Sequence, residues 1–236
     1  EKSLEKLVFV ELTDQHWDEV NRLNDTKGDY ALFAQISLGI GHIWQTMDMM
    51  AFSVAMIENQ ELLHEILRRY TEWTTAVIEK INTIGIDCVW TFDDFAFKTG
   101  TVYSPDFFKE VVLPYARTIA EAIRIPWVFH SDGNYMGVLD DLAGLGMNAI
   151  NPVEPGCLDI PEIRRRYPDL VLIGNVEVDI LGRGTEEETR ADVDRAFREL
   201  GGTGPFMPSS SNSIPEFCKP ENVRAMFARY RELVDG

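Results

Sequence analysis

Short apolar runs alternate with longer segments of helical periodicity along this chain. The run from Ala31 to Ile36 predicts a first strand, and Cys88–Phe92 predicts a second. Between them, apolar residues recur three and four positions apart over residues 60–82, which predicts an amphipathic helix. Gly85 follows as a helix stop. The first predicted elements of the chain therefore form a strand–helix–strand unit.

The same alternation continues to the end of the chain. Most strands are followed by a helix across a short connection, which implies parallel strands joined by right-handed crossovers. The remaining predicted strands are residues 127–129, 148–150, 170–173 and a last strand starting at 204–207, and the predicted helices are 104–123, 135–145, 160–167, 185–200 and one from 220 onward.

Two architectures fit this order, a doubly wound open sheet and a (β/α)8 TIM barrel. No glycine-rich GxGxxG loop follows any strand, the strands are short, and polar residues cluster just beyond their ends. These features favour the barrel, as one domain over residues 1–236. Six strands leave two of the eight unaccounted for, so we expect N-terminal strands of the barrel to be missing from this chain.

The charge balance limits the kinds of molecule that the chain is expected to bind. The chain has 22 basic and 39 acidic residues, a formal net charge of −17, and such a surface repels nucleic acid and anionic membranes. No apolar run approaches the ~20 residues that span a bilayer. Three cysteines without a CxxC pair favour a reducing compartment, so we expect a cytoplasmic protein.

Candidate functional residues follow from the fold class, because active sites of parallel α/β folds lie at the carboxyl ends of the strands. The stretch WVFHSDGN, residues 127–134, shows the pattern: an apolar strand ends abruptly in a histidine, a carboxylate and a turn glycine. Single members of such a set often cap helices or form turns. The strand ends supply Asp93, Asp94, His130, Asp132, Asn151, Glu154, Asn175, Glu177, Ser211 and Asn212.

Several of these residues can carry chemistry together. His130 with Asp132 and Glu154 could hold a divalent metal through nitrogen and oxygen, and the same groups could transfer protons without a metal. Cys157 is a further candidate ligand through sulfur. A serine hydrolase is disfavoured, because the chain has no GxSxG elbow.

Four segments carry a resemblance to a known family: FDDFAFKTGTVYSPDFFKEVVLPY (92–115), VFHSDGNYMGVLDDLAGLGMNAINPVEP (128–155), LIGNVE (172–177) and SSSNSIPEFCKPENV (209–223). In order and spacing the chain resembles the uroporphyrinogen decarboxylase superfamily, which includes the cobalamin-dependent methyltransferases. The resemblance implies a (β/α)8 barrel whose members are longer at the N-terminus.

Within the superfamily the chain resembles the methyltransferase branch more closely. Members of that branch carry a histidine where this chain has His130, and zinc-dependent members bind the metal through two cysteines that correspond here to Asp132 and Asn212. A thiolate-rich zinc site is therefore absent as such, and a divalent metal such as zinc at His130 and Glu154 is the expectation instead.

The resemblance implies methyl transfer between a small donor, which is a methoxylated, methylamine-type or pterin compound, and a corrinoid carried by a partner protein. Catalytic roles fall on Asp94, His130, Asp132, Glu154 and Asn212. Substrate contacts fall on Asp93, Asn151, Asn175, Glu177 and Ser211.

Two alternatives stay open at this point. Cofactor-free decarboxylation of uroporphyrinogen needs a basic pocket for eight carboxylates, whereas these strand ends are acidic, and Asn212 stands where that branch has a histidine. A ligand-binding barrel without catalysis is the other alternative. An apolar stretch from Trp44 to Phe52 fits core packing, a substrate pocket or the face of a homodimer.

Overall fold

The six predicted strands are all present in the computed structural model, which describes residue 4 and residues 7–235. Their bounds lie close to those predicted. A short antiparallel hairpin, which the sequence pattern did not predict, adds two more strands. The strands are β1 (Phe33–Ile36), β2 (Cys88–Phe92), β3 (Ala96–Phe97), β4 (Gly100–Thr101), β5 (Trp127–His130), β6 (Ala149–Asn151), β7 (Val171–Val176) and β8 (Phe206–Ser210).

The predicted helices are also present, together with four that were not predicted. The helices are α1 (Asp14–Thr26), α2 (His42–Gln45), α3 (Met49–Glu58), α4 (Gln60–Ile81), α5 (Pro105–Phe107), α6 (Leu113–Ala122), α7 (Leu139–Ala143), α8 (Ile160–Arg166), α9 (Val178–Arg183), α10 (Glu186–Glu199) and α11 (Pro220–Asp235), with short 3₁₀ turns at Met136–Val138 and Gly201–Thr203. Those not predicted are α1, α2, α3 and α9.

One predicted helix is interrupted. The segment expected to be continuous over 104–123 consists of α5, a π-helical turn at Phe108–Val112, and α6. Pro114, at the start of α6, has no N–H to donate, and its ring crowds the carbonyl one turn earlier. A widened turn before the proline accommodates both effects.

The chain divides into two compact units. The first holds residues up to 95, 103–129 and 138–147, and the second holds 96–102, 130–137 and those from 148 onward. The prediction of a single domain over 1–236 stays a prediction.

The first unit is built on parallel strands packed by long helices. Its strand order is β1-β2-β5, and β1 pairs in parallel with β2 from Phe33 opposite Cys88 to Ile36 opposite Thr91. Helix α4 packs on α6. Its core contains large side chains that are fully buried, among them Phe52, Leu63, Leu67, Ile78, Phe95 and Phe108.

The second unit contains three parallel strands in the order β6-β7-β8. Helices α10 and α11 pack together over a core of Val176, Leu181, Val193, Ala196, Met226 and Tyr230. Because the strands are parallel, their carboxyl ends share one edge, and the residues that follow each strand lie at that edge.

The α/β fold class with parallel strands is thus confirmed. Six strands of the barrel type are present among the described residues, whereas a complete (β/α)8 barrel has eight. Among the described helices, none combines the length and the apolar character that a bilayer span requires.

Candidate functional site

Strand β5 ends in a histidine that is held by an asparagine from the next strand. Trp127, Val128 and Phe129 are buried, and His130 is the first residue of the strand to reach partial exposure. Its Nδ1 lies 2.7 Å from Asn151 Oδ1 at the end of β6. The Ser131 N–H donates to the Asn151 carbonyl at 2.9 Å. The first contact holds the imidazole against β6, and the second holds the backbone that follows it.

Asp132 joins this histidine to the segment after β8. Asn212 Nδ2 donates to Asp132 Oδ2 at 2.9 Å, and the other carboxylate oxygen lies 3.8 Å from His130 Nε2. His130, Asp132 and Asn212 were predicted as one site from their strand ends, and the structure brings them together across 80 residues of sequence.

Gly133 lets the turn reverse beneath the β3–β4 hairpin. Its φ is +82°, and a Cβ there would stand 2.6 Å from the Ala96 carbonyl oxygen, so no larger residue fits. Its N–H donates to Glu154 Oε2 at 3.1 Å. The Asn134 N–H donates to the Phe97 carbonyl at 2.9 Å, which holds the hairpin on the turn.

Glu154 lies beside Cys157, whose sulfur is a protonated thiol rather than a thiolate. The Cys157 thiol donates to Glu154 Oε2 at 3.3 Å. Burial, that hydrogen bond and the Glu154 charge raise the pKa of Cys157 to about 11, although the positive charge of Lys98 acts in the opposite direction. The thiol therefore stays protonated at neutral pH, where it is a poor metal ligand.

Asn175 is fully buried and its amide is engaged on both sides. Its Nδ2 donates to the Val153 carbonyl at 2.6 Å, and its Oδ1 accepts from Arg195 at 2.6 Å. Arg195 also binds Asp192, whose other oxygen accepts from the Glu177 N–H at 2.8 Å. Substrate binding by Asn175 stays a prediction, while its contacts support a role in positioning the segments that carry Glu154 and Glu177.

A cleft of about 360 Å³ opens beside these residues in the second unit. Four predicted site residues line it, namely Glu154, Glu177, Ser211 and Asn212. The Asn212 amide connects the cleft to Asp132, which lies beside His130. The other lining residues are Lys98, Pro155, Val178, Asp179, Ser213 and Pro215.

Two predicted residues, Asp93 and Asp94, belong to the first unit. Asp93 is 1% exposed and accepts from Ser37 Oγ at 2.7 Å, from the Leu38 N–H at 2.8 Å and from the Gly41 N–H at 3.2 Å. Burial raises its pKa to about 7, against the opposing effect of these hydrogen bonds. The backbone carbonyl of Asp94 accepts from Trp44 Nε1 at 3.0 Å.

Sequence reasoning gave no role to Arg195 or Lys98. Arg195 sits on α10 near acids three and four positions away, Asp192 and Glu199, which is the pattern of surface ion pairs on an exposed helix. Lys98 lies in a hairpin of two-residue strands, too short for a periodicity signal. Only the contacts reveal either position.

Comparisons with known proteins agree with this fold. The family described as Uroporphyrinogen decarboxylase (URO-D) matches residues 18–233. The uroporphyrinogen decarboxylase of Chlorobium chlorochromatii is 25% identical over 188 residues, covering 75% of this chain and 51% of that protein. Uroporphyrinogen decarboxylase 2, chloroplastic, of Arabidopsis thaliana is 29% identical over 179 residues, covering 73% of this chain and 43% of that protein. The chain spans about half the length of the curated relatives it matches.

Solved structures show the same fold. A methyltransferase from Methanosarcina mazei superposes with a TM-score of 0.75 at 20% identity, covering 92% of this chain and 64% of that one. A B12-independent methionine synthase from Shewanella sp. W3-18-1 gives a TM-score of 0.58 at 11% identity, covering 93% and 66%. With the family profile extending over residues 18–233, this chain belongs to the uroporphyrinogen decarboxylase family.

Proposed function

We propose that this chain is part of a methyltransferase that moves a methyl group between a small methyl donor and a corrinoid on a partner protein. The neighbour in fold from Methanosarcina mazei is described as a methyltransferase, which supports the proposal. The cleft of the second unit would hold the donor. The activity, substrate and partner of the whole protein are all part of this proposal.

The arrangement of His130 is the observation that carries the proposal. With Asn151 Oδ1 as the acceptor at 2.7 Å, Nδ1 carries the proton, and Nε2 faces the Asp132 carboxylate at 3.8 Å. An imidazole oriented by one neighbour and placed beside a carboxylate suits two tasks, which are proton transfer and metal binding.

Proton transfer follows from the chemistry of the donor. When a methyl group leaves for a nucleophile, the donor heteroatom keeps the bonding electron pair and becomes more basic. A proton from His130 would neutralise that atom. The corrinoid supplies the nucleophile that accepts the methyl group when its carrier protein is bound.

A metal also fits these donors. Two ligand atoms at zinc distances of about 2.1 Å in tetrahedral geometry lie about 3.4 Å apart, close to the 3.8 Å between His130 Nε2 and Asp132 Oδ1. Glu154 was predicted as a ligand with His130, and its Oε2 accepts hydrogen bonds from the Gly133 N–H and the Cys157 thiol. A divalent ion here would polarise the leaving heteroatom as a Lewis acid. Both ligand roles stay proposals.

Cofactor-free decarboxylation of a tetrapyrrole is the second candidate, and the names of the similar sequences favour it. The cleft argues against it, since its lining in the second unit includes Glu154, Glu177 and Asp179 but only Lys98 as a cation. Such a lining repels a substrate with many carboxylates.

Titration with Co(I) cobalamin and candidate methyl donors under strict reduction tests the proposal. We expect loss of the Co(I) absorption with one donor class, and a large loss of rate in His130→Ala. His16→Ala, an exposed histidine on α1, is the matched control and should keep the wild-type rate.

A parallel incubation with uroporphyrinogen separates the two candidates. Conversion to a decarboxylated porphyrinogen, with Co(I) unchanged by every donor, would replace the methyltransferase proposal with the second candidate.

A further inference from the structure

Lys98 stands on a hairpin that the structure holds firmly against the site turn. Strands β3 and β4 pair at Ala96–Thr101 and Phe97–Gly100, which places Lys98 at the hairpin's tip. The Asn134 N–H binds the Phe97 carbonyl at 2.9 Å, and Gly133 leaves no room between the turn and Ala96. The base of the hairpin is therefore fixed to the turn that carries Asp132.

The Lys98 side chain lines the cleft with Glu154, Ser211 and Asn212. Within the described residues, no carboxylate lies within ion-pair distance of its ammonium group. A lysine that faces a cleft without an internal ion pair is available for an anionic ligand.

The rest of the lining limits how much negative charge the ligand can carry. Glu154, Glu177 and Asp179 line the same cleft, and of these Asp179 forms an exposed ion pair with Arg183 at 3.2 Å. One cation among acids can bind one carboxylate, whereas further carboxylates would face Glu154 or Glu177 and be repelled. The hydroxyls of Ser211 and Ser213 offer additional donors along the same wall.

We propose that Lys98 binds a single carboxylate of the methyl donor, so that the donor is a small monocarboxylate rather than a neutral alcohol, a simple amine or a polycarboxylate. The assignment of this ligand as the methyl donor rests on the proposed function. The binding of a monocarboxylate in the cleft does not, and it can be measured separately.

Calorimetry with matched probe pairs tests the binding step. The pairs are 4-methoxybenzoate with 4-methoxybenzamide, dimethylglycine with its amide, and 3-(methylthio)propionate with its amide. We expect at least one carboxylate to bind the full chain about tenfold more tightly than its amide, since a charge-assisted hydrogen bond is lost in the amide. The preference should vanish in Lys98→Met and persist in Lys98→Arg.

Lys109→Met is the control, because Lys109 lies outside the second unit and pairs with Asp141. Equal binding of acid and amide in all three pairs, no binding of any probe, or a preference that survives Lys98→Met would overturn the proposal. A Lys98-dependent preference without consumption of Co(I) would support the carboxylate site while counting against methyl transfer.

Discussion

Asp93 and Asp132 both follow strands of a parallel sheet, yet their surroundings differ. Asp93 in the first unit is 1% exposed and accepts from the segment that follows β1, through the Ser37 hydroxyl and the Leu38 and Gly41 N–H groups. The Asp132 side chain in the second unit is 35% exposed and contacts other candidate site residues, His130 and Asn212. The Asp93 carboxylate therefore stabilises a loop, whereas the Asp132 carboxylate is accessible to a bound ligand.

The largest effect is expected for Asp93→Ala. The substitution leaves the Ser37 hydroxyl and the Leu38 and Gly41 N–H groups buried without an acceptor, which should lower the free energy of unfolding by about 3–4 kcal/mol. Urea denaturation measures it. Asp132→Ala should cost less than about 1 kcal/mol, because its contacts are partly exposed. Equal losses in the two variants would show that the two carboxylates contribute equally to stability.

Gly133→Ala tests how tightly the second unit's turn is packed. A methyl group would meet the Ala96 carbonyl at 2.6 Å in a left-handed backbone, so we expect a loss of about 2–3 kcal/mol in the free energy of unfolding. Gly156→Ala is the matched control: its φ is +75° but nothing lies within 4 Å, so only the backbone strain of about 1 kcal/mol should appear. Similar losses in both variants would show that the β3–β4 hairpin moves to accommodate the methyl group at position 133.

The pH dependence of stability tests the burial of Asp93. Because its pKa is raised to about 7 from 3.8, the protonated folded state is favoured at low pH, and this stabilisation is lost as pH rises through 7. From pH 5.5 to 8, wild type should lose on the order of 2 kcal/mol relative to Asp93→Asn, which lacks the titration. Chemical denaturation at each pH gives the difference. A constant difference would mean that hydrogen bonding outweighs burial and keeps Asp93 ionised.

Asn151→Ala should affect rate more than stability. It frees His130 Nδ1, and removing the partner that orients a functional histidine typically costs about 10-fold or more in activity. The methyl-transfer assay measures the rate, and the pH–rate profile should shift with it. Asn59→Ala, which removes the N-cap of α4, should instead lower stability by about 1 kcal/mol and leave the rate unchanged. A wild-type rate in Asn151→Ala would show that His130 needs no orientation from this side.

The smallest effect concerns Cys157. With a pKa of about 11, its thiol should react slowly with iodoacetamide at pH 8. Glu154→Gln should speed the reaction, because it removes the negative charge that favours the protonated thiol. Mass spectrometry of the labelled peptides measures both rates. Cys218, whose pKa is raised by burial alone, is the internal reference and should not respond to Glu154→Gln. Rapid labelling of Cys157 in wild type would point to a thiolate and reopen its role as a metal ligand.

The pattern of apolar and polar positions determined the elements that recur with clear periodicity. Helix α4 was predicted from its own residues, because burial on one face imposes a helical period that the sequence displays. Strands β2 and β7 were predicted as short apolar runs, because most of their residues are buried on both faces of the sheet. Helix α3 was not predicted, since apolar residues cover all its faces and leave no period to read.

The ends of the predicted strands indicated where the polar side chains of the site lie. Parallel strands bring their carboxyl ends to one edge of the sheet whatever their side chains are. The grouping of His130, Asp132 and Asn212 follows from that rule. What only the tertiary structure decided is how each polar group is used. Burial of Asp93, engagement of Asn175 by Arg195, and the placement of Lys98 in the cleft depend on contacts between residues far apart in sequence, and local composition does not encode those contacts.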